Sequence, residues 1–149
     1  MNRSPFSLTV AAGLASLAGL VAVPVAAADL AVEVSGIRSD AGRVFIAVHT
    51  PREGEKFPYS GGMFAGLQHR AREGSVRFVL RDVPAGRYAV NAFHDENDNG
   101  SLDSNLLGIP TEGYGFANDP PTSFGPPEFD EAAVTVGDAP VTAAMSMVY

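Results

Sequence analysis

Ser75-Val76-Arg77-Phe78-Val79-Leu80-Arg81-Asp82-Val83, then Pro84-Ala85-Gly86, then Arg87-Tyr88-Ala89-Val90-Asn91-Ala92-Phe93-His94: two alternating runs flank a proline–glycine turn. Side chains of a strand point to opposite faces in turn, so a period of two marks a strand with one buried face. Val76, Phe78 and Leu80 form the inward set of the first run, and Tyr88, Val90 and Ala92 that of the second. Proline at the second and glycine at the fourth turn position fit a type I turn. The pair is expected as a hairpin.

The same period recurs outward from this pair. Leu30, Val32 and Val34 share one face, and Val44, Ile46 and Val48 share another within 43–50; residues 36–42 are expected to join these two strands as a second hairpin. The stretch 51–74 is punctuated by Gly54, Pro58, Gly61, Gly62, Gly66 and Gly74, which argues against a long helix. It leaves room for a short helical turn around 63–70, with Phe57, Tyr59, Phe64 and Leu67 capping an open edge of the core. Alternation returns at 132–136 and 141–149, across a Gly137-Asp138-Ala139-Pro140 turn. Strands joined by turns without crossover helices predict an all-β fold. The expected form is a single antiparallel β-sandwich of about seven strands, Greek-key-like, with one long ordered loop. An outer-membrane barrel needs longer alternating strands and aromatic girdles.

The start of the chain follows other rules. Met1-Asn2-Arg3 is basic, residues 6–23 are apolar and uncharged, and Pro24-Val25-Ala26-Ala27-Ala28 ends in small residues. That order is a secretory signal. The expected organisation is therefore a signal peptide over 1–28, cleaved after Ala28, and a β-sandwich domain over 29–149. The mature domain is expected in the periplasm or secreted, with no later segment able to span a membrane. Without cysteine, neither disulfides nor a cysteine-linked lipid are available. Asp and Glu number 17 against 10 Lys and Arg, and one of those ten, Arg3, leaves with the signal. Such a balance excludes nucleic acid, which needs clustered cations, and disfavours anionic membranes. Divalent cations are the natural partners.

One loop carries legible chemistry: Asp95-Glu96-Asn97-Asp98-Asn99-Gly100-Ser101-Leu102-Asp103. Calcium takes six to eight hard oxygens from a short, sharply folded segment. Asp95, Asn97 and Asn99 supply side-chain oxygens at alternate positions, Gly100 permits the turn, Ser101 offers its carbonyl, and Asp103 follows. Leu106 stands where an EF-hand needs a bidentate Glu, so Glu112, Asp98 or Asn105 must complete the shell, or waters must. The expected metal ligands are Asp95, Asn97, Asn99, Ser101, Asp103 and Glu112, for Ca²⁺ at a Kd on the order of 10⁻⁴ to 10⁻³ M. The bland reading is a polar turn rich in Asp, Asn and Gly.

Catalytic signals are absent: there is no Gly-x-Ser-x-Gly elbow and no cysteine nucleophile. His94 is expected to end a buried face and bond a loop carbonyl; the competing reading is a hydrolase using His94 with loop carboxylates. Tyr114, Phe116, Phe124 and Phe129 are expected to fold inward and pin the long loop. Exposed, they would instead form a carbohydrate- or peptide-binding surface for an extracytoplasmic glycan or protein.

Residues 83–90, the run 94–103, and the block Gly108-Ile109-Pro110-Thr111-Glu112-Gly113-Tyr114-Gly115-Phe116-Ala117-Asn118 together resemble the bacterial domain-of-unknown-function 2141 family. The resemblance covers essentially 30–149. It implies an exported β-sandwich of the transthyretin or carboxypeptidase-regulatory kind, and supplies no activity and no binding residues. The function expected from the sequence is an exported, non-catalytic binding or structural module with a calcium-ordered loop.

Overall fold

A computed structural model describes residues 26–54, 56–59 and 62–149; most of the expected signal peptide, residues 1–25, lies outside them. Strand β1 (Ala27–Ile37) lies between β4 (Gly74–Pro84) and β8 (Val141–Ser146) in a three-stranded sheet. Opposite it, β3 (Met63–Arg70), β2 (Arg43–His49), β5 (Gly86–Asp95) and β6 (Gly113–Phe116) follow in that spatial order. Strand β7 (Ala133–Val136) pairs with the first half of β5. Ala27 and Ala28, at the end of the expected signal peptide, pair with Pro84 and Val83. The described residues contain no helix long and apolar enough to cross a membrane.

The inward faces are those that alternation marks. Leu30, Val32 and Val34 of β1 and Val44, Val48 and Val90 opposite have no exposed surface, and Phe78, Leu80 and Met145 join the same cluster. Each such side chain stabilises the fold by about 1.5–3 kcal/mol relative to leaving it in water. The sandwich expected from the sequence is thus the fold observed. Among the described residues it has eight strands, and all pairings are antiparallel except one, since β1 and β8 run parallel, Leu30 beside Val141.

Neither expected hairpin forms. Strands β1 and β2 lie in opposite sheets, as do β4 and β5, so the connections 38–42 and Ala85 are corners that carry the chain across the sandwich. The second corner has a visible lock: the buried Tyr88 hydroxyl donates to the Pro84 carbonyl at 2.9 Å. The first is set by Gly42, in left-handed conformation at φ 64°, where a Cβ would fall 1.8 Å from the Asp95 carbonyl oxygen. Alternation reads which face is buried and is silent about which strand lies alongside.

The 63–70 stretch is a strand, not a helical turn. Its register slips by one residue opposite Val48, where a bulge turns Phe64 over Tyr88 with ring centroids 5.1 Å apart. Of the aromatics expected at the open edge, Phe57 is half-buried while Tyr59 is exposed. Phe57 contacts His49, Phe116 and Phe129 on the outer face of the β2–β5 sheet, forming a second small core. Replacing Tyr88 by Phe removes the bond to the Pro84 carbonyl and is expected to destabilise the protein by about 0.5–1.5 kcal/mol. Urea denaturation with an unchanged m value will show it.

Candidate functional site

β5 ends at Asp95, wedged against Gly42, and the loop that follows folds back on that carboxylate. Asp95 is 1% exposed; its Oδ1 accepts the Asn99 N–H at 3.0 Å and its Oδ2 the Gly100 N–H at 2.7 Å. Short polar side chains bonding the backbone two residues on make this conformation locally favourable. Asn97 Oδ1 accepts the same Asn99 N–H at 3.0 Å, and Asn99 Oδ1 accepts the Ser101 N–H at 2.8 Å. Both amide nitrogens then converge on Asp103: Asn97 Nδ2 donates to Oδ2 at 2.6 Å, and Asn99 Nδ2 donates to both oxygens at 3.0 Å.

Glu112 closes the loop from outside. Its Oε1 accepts the Glu96 N–H at 2.9 Å and its Oε2 the Asp103 N–H at 3.1 Å, so one side chain holds both ends of the turn. It is 5% exposed. Beyond it, the Ser104–Pro110 bridge and the Asn105–Ile109 turn form a tip with Leu106, Leu107 and Ile109 in water.

A second cluster abuts the first. His94 is fully buried, with Nε2 2.7 Å from the Ala41 carbonyl and Nδ1 2.7 Å from the Tyr149 hydroxyl. The carbonyl only accepts, which assigns the ring proton to Nε2 and makes Tyr149 the donor to Nδ1. The phenol also accepts the Arg38 N–H at 3.1 Å, and the Arg38 guanidinium lies 4.2 Å over the Tyr149 ring while pairing with Glu96. That hydrogen bond, chiefly, holds the Glu96 carboxyl below the usual carboxylate range. The ring of Tyr149 rests on Gly113, where a Cβ would come within 2.5 Å of it.

A model of a family described as an uncharacterized protein conserved in bacteria, DUF2141, matches residues 32–144. The chain belongs to that family. No curated protein and no solved structure matches it.

In this DUF2141 domain, Asp95, Asn97, Asn99 and Asp103 lie on one turn, and Glu112 reaches the two ends of that turn from outside it. Ser101 joins through its N–H. Among the described residues no three His, Asp or Glu side chains form a group able to hold a metal by themselves. His94 is the buried, carbonyl-bonded residue expected; with both ring nitrogens engaged, it offers none to a substrate. Phe116 is buried and Phe129 half-buried in the small outer core, Tyr114 is half-buried, and Phe124 is fully exposed. Arg38, Glu96 and Tyr149 are members that sequence reasoning missed, because 55 residues or more separate each of Arg38 and Tyr149 from its hydrogen-bond partners and no local spacing joins them.

Burial raises the Tyr149 phenol above its ordinary value. A raised folded value means stability that is complete below the unfolded pKa and is lost as pH rises through the folded one. Thermal unfolding from pH 8 to 11 is expected to show a falling Tm. Tyr149→Phe should start lower at pH 8 and fall less steeply.

Proposed function

We propose that this protein is an exported, non-catalytic β-sandwich module whose loop, residues 95–112, is fastened by Ca²⁺. The observation that carries the reading is the pair of buried carboxylates, Asp95 and Glu112, whose hydrogen bonds all come from backbone N–H groups. The ion pairs nearby serve other acids: Arg38 pairs with Glu96, and Arg43 lies 3.3 Å from Asp98. Concentrated negative charge of this kind is relieved by a cation of matching hardness.

The donor set suits calcium. Each oxygen of Asp95 and Glu112 keeps a free lone pair after accepting one N–H, and rotation of the Asn97 and Asn99 amides, which gives up their bonds to the Asn99 and Ser101 N–H groups, exchanges nitrogen for oxygen on the Asp103 side. Asp95, Asn97, Asn99, Asp103, Glu112 and the Ser101 carbonyl then offer hard oxygens in the number calcium takes. The ion's role is mechanical: it holds the turn that sets β6 beside β5. Export rests on the basic, apolar, Ala-rich start of the chain.

With a Kd in the range for extracellular modules, about 10 mM Ca²⁺ is expected to stabilise the domain by roughly 1.4–2.7 kcal/mol. The readout is Tm with Ca²⁺ against Tm with chelator. Asp103→Asn and the double variant Asp95→Ala/Asp103→Ala should abolish the difference. A response that survives in Asp103→Asn, or no response in the parent, disproves the reading.

A further inference from the structure

Strand β3 is the last of its sheet, with β2 on one side and, among the described residues, no strand on the other. Every residue of Met63–Arg70 except Ala65 is exposed. Edge strands are usually guarded by Lys, Pro, inward charges or short length. This one runs eight residues with Arg70 as its only formal charge.

The outer face beside this edge is open and apolar. Phe45 of β2 and Phe93 of β5 stack with centroids 4.8 Å apart and planes 3° from parallel. With Met63, Gln68 and Asn91 they line a groove of about 340 Å³. Gly66 stands between groove and edge, and having no side chain it leaves the way in open. A cross-strand aromatic ring is the usual cover for an edge glycine.

Charge says what lies at the other end. Arg70 sits directly opposite Arg43 in the β2–β3 ladder, a like-charge pairing that destabilises a sheet. Asp98 answers Arg43, at 3.3 Å; no salt bridge among the described residues answers Arg70. Asp40 and Glu73 lie past the strand end, bonded to each other through the Glu73 N–H. Arg70 and Gly66 share the outer face, being four residues apart on a strand.

From this placement we infer that β3 is a strand-addition site for an extended peptide with a carboxylate opposite Arg70 and an aromatic residue opposite Gly66. Antiparallel addition is the more stable mode, so the acid precedes the aromatic by four residues. Main-chain bonds to the free edge supply affinity, and the groove and guanidinium supply selection. The inference goes beyond the calcium loop and does not depend on it.

The test uses three labelled, capped heptapeptides and the whole domain at low salt: Glu-Val-Thr-Val-Phe-Val-Thr, the same with Lys for Glu, and the same with Ala for Phe. The first is expected to bind at least about tenfold tighter than either other. Gly66→Val should abolish binding with the fold intact, since a Cβ there meets only Met63 Sδ at 3.6 Å and the Ile46 carbonyl at 3.8 Å. Arg70→Glu, a surface change, should reverse the preference to the Lys peptide. Absence of binding by all three peptides, or binding indifferent to Arg70→Glu, overturns the inference. So does a concentration-dependent dimer in sedimentation that Gly66→Val dissolves, because the edge would then be taken by a second copy.

Discussion

Between Pro84 and Gly86 the chain has one residue in which to leave one sheet and enter the other. Pro84 has no N–H to offer and a fixed φ, and its carbonyl is held by the Tyr88 hydroxyl. That lock sends β4 and β5 to opposite layers. Once they are separated, β1 finds β4 as its antiparallel neighbour and β2 finds β5. The corner at Gly42 repeats the arrangement, and its tight contact with Asp95 ties the second crossing to the start of the acidic loop. Sandwich and loop are therefore consequences of the same geometry.

The polar cluster beside His94 has a comparable economy. Glu112 spans the turn, Gly113 supplies the flat spot for the Tyr149 ring, and Tyr149 in turn hydrogen-bonds His94 and lies under Arg38. Buried polar groups are tolerable only when satisfied, and here each named atom has a partner. The cluster joins β1, β5, β6 and the segment after β8 at one end of the sandwich.

Much of the fold was legible because Val32, Val44, Phe78 and Val90 sit in runs whose period is two. The turn around Asp95 was legible too, since alternate Asp and Asn followed by Gly have few other uses. What escaped has physical causes. Pairing partners are chosen by the path of the chain between layers, and Pro84 in a turn looks the same in a hairpin and in a corner. β3 escaped because an edge strand carries no burial alternation: its inward Leu67 and outward Gln68 are both exposed. β6 is four residues long and half glycine, too short to display a period. Glu112 could be placed near the loop, but Tyr149 could not, because only the closed sandwich brings it there.

The parallel pairing of β1 with β8 has a kinetic consequence. Leu30 and Val141 are neighbours in space at opposite ends of the domain's sequence, and closing so long a loop is entropically slow. During synthesis one flank of β1, with its unpaired N–H and C=O groups, stays bare until β8 emerges. β8 is thus the strand that seals the far flank of β1.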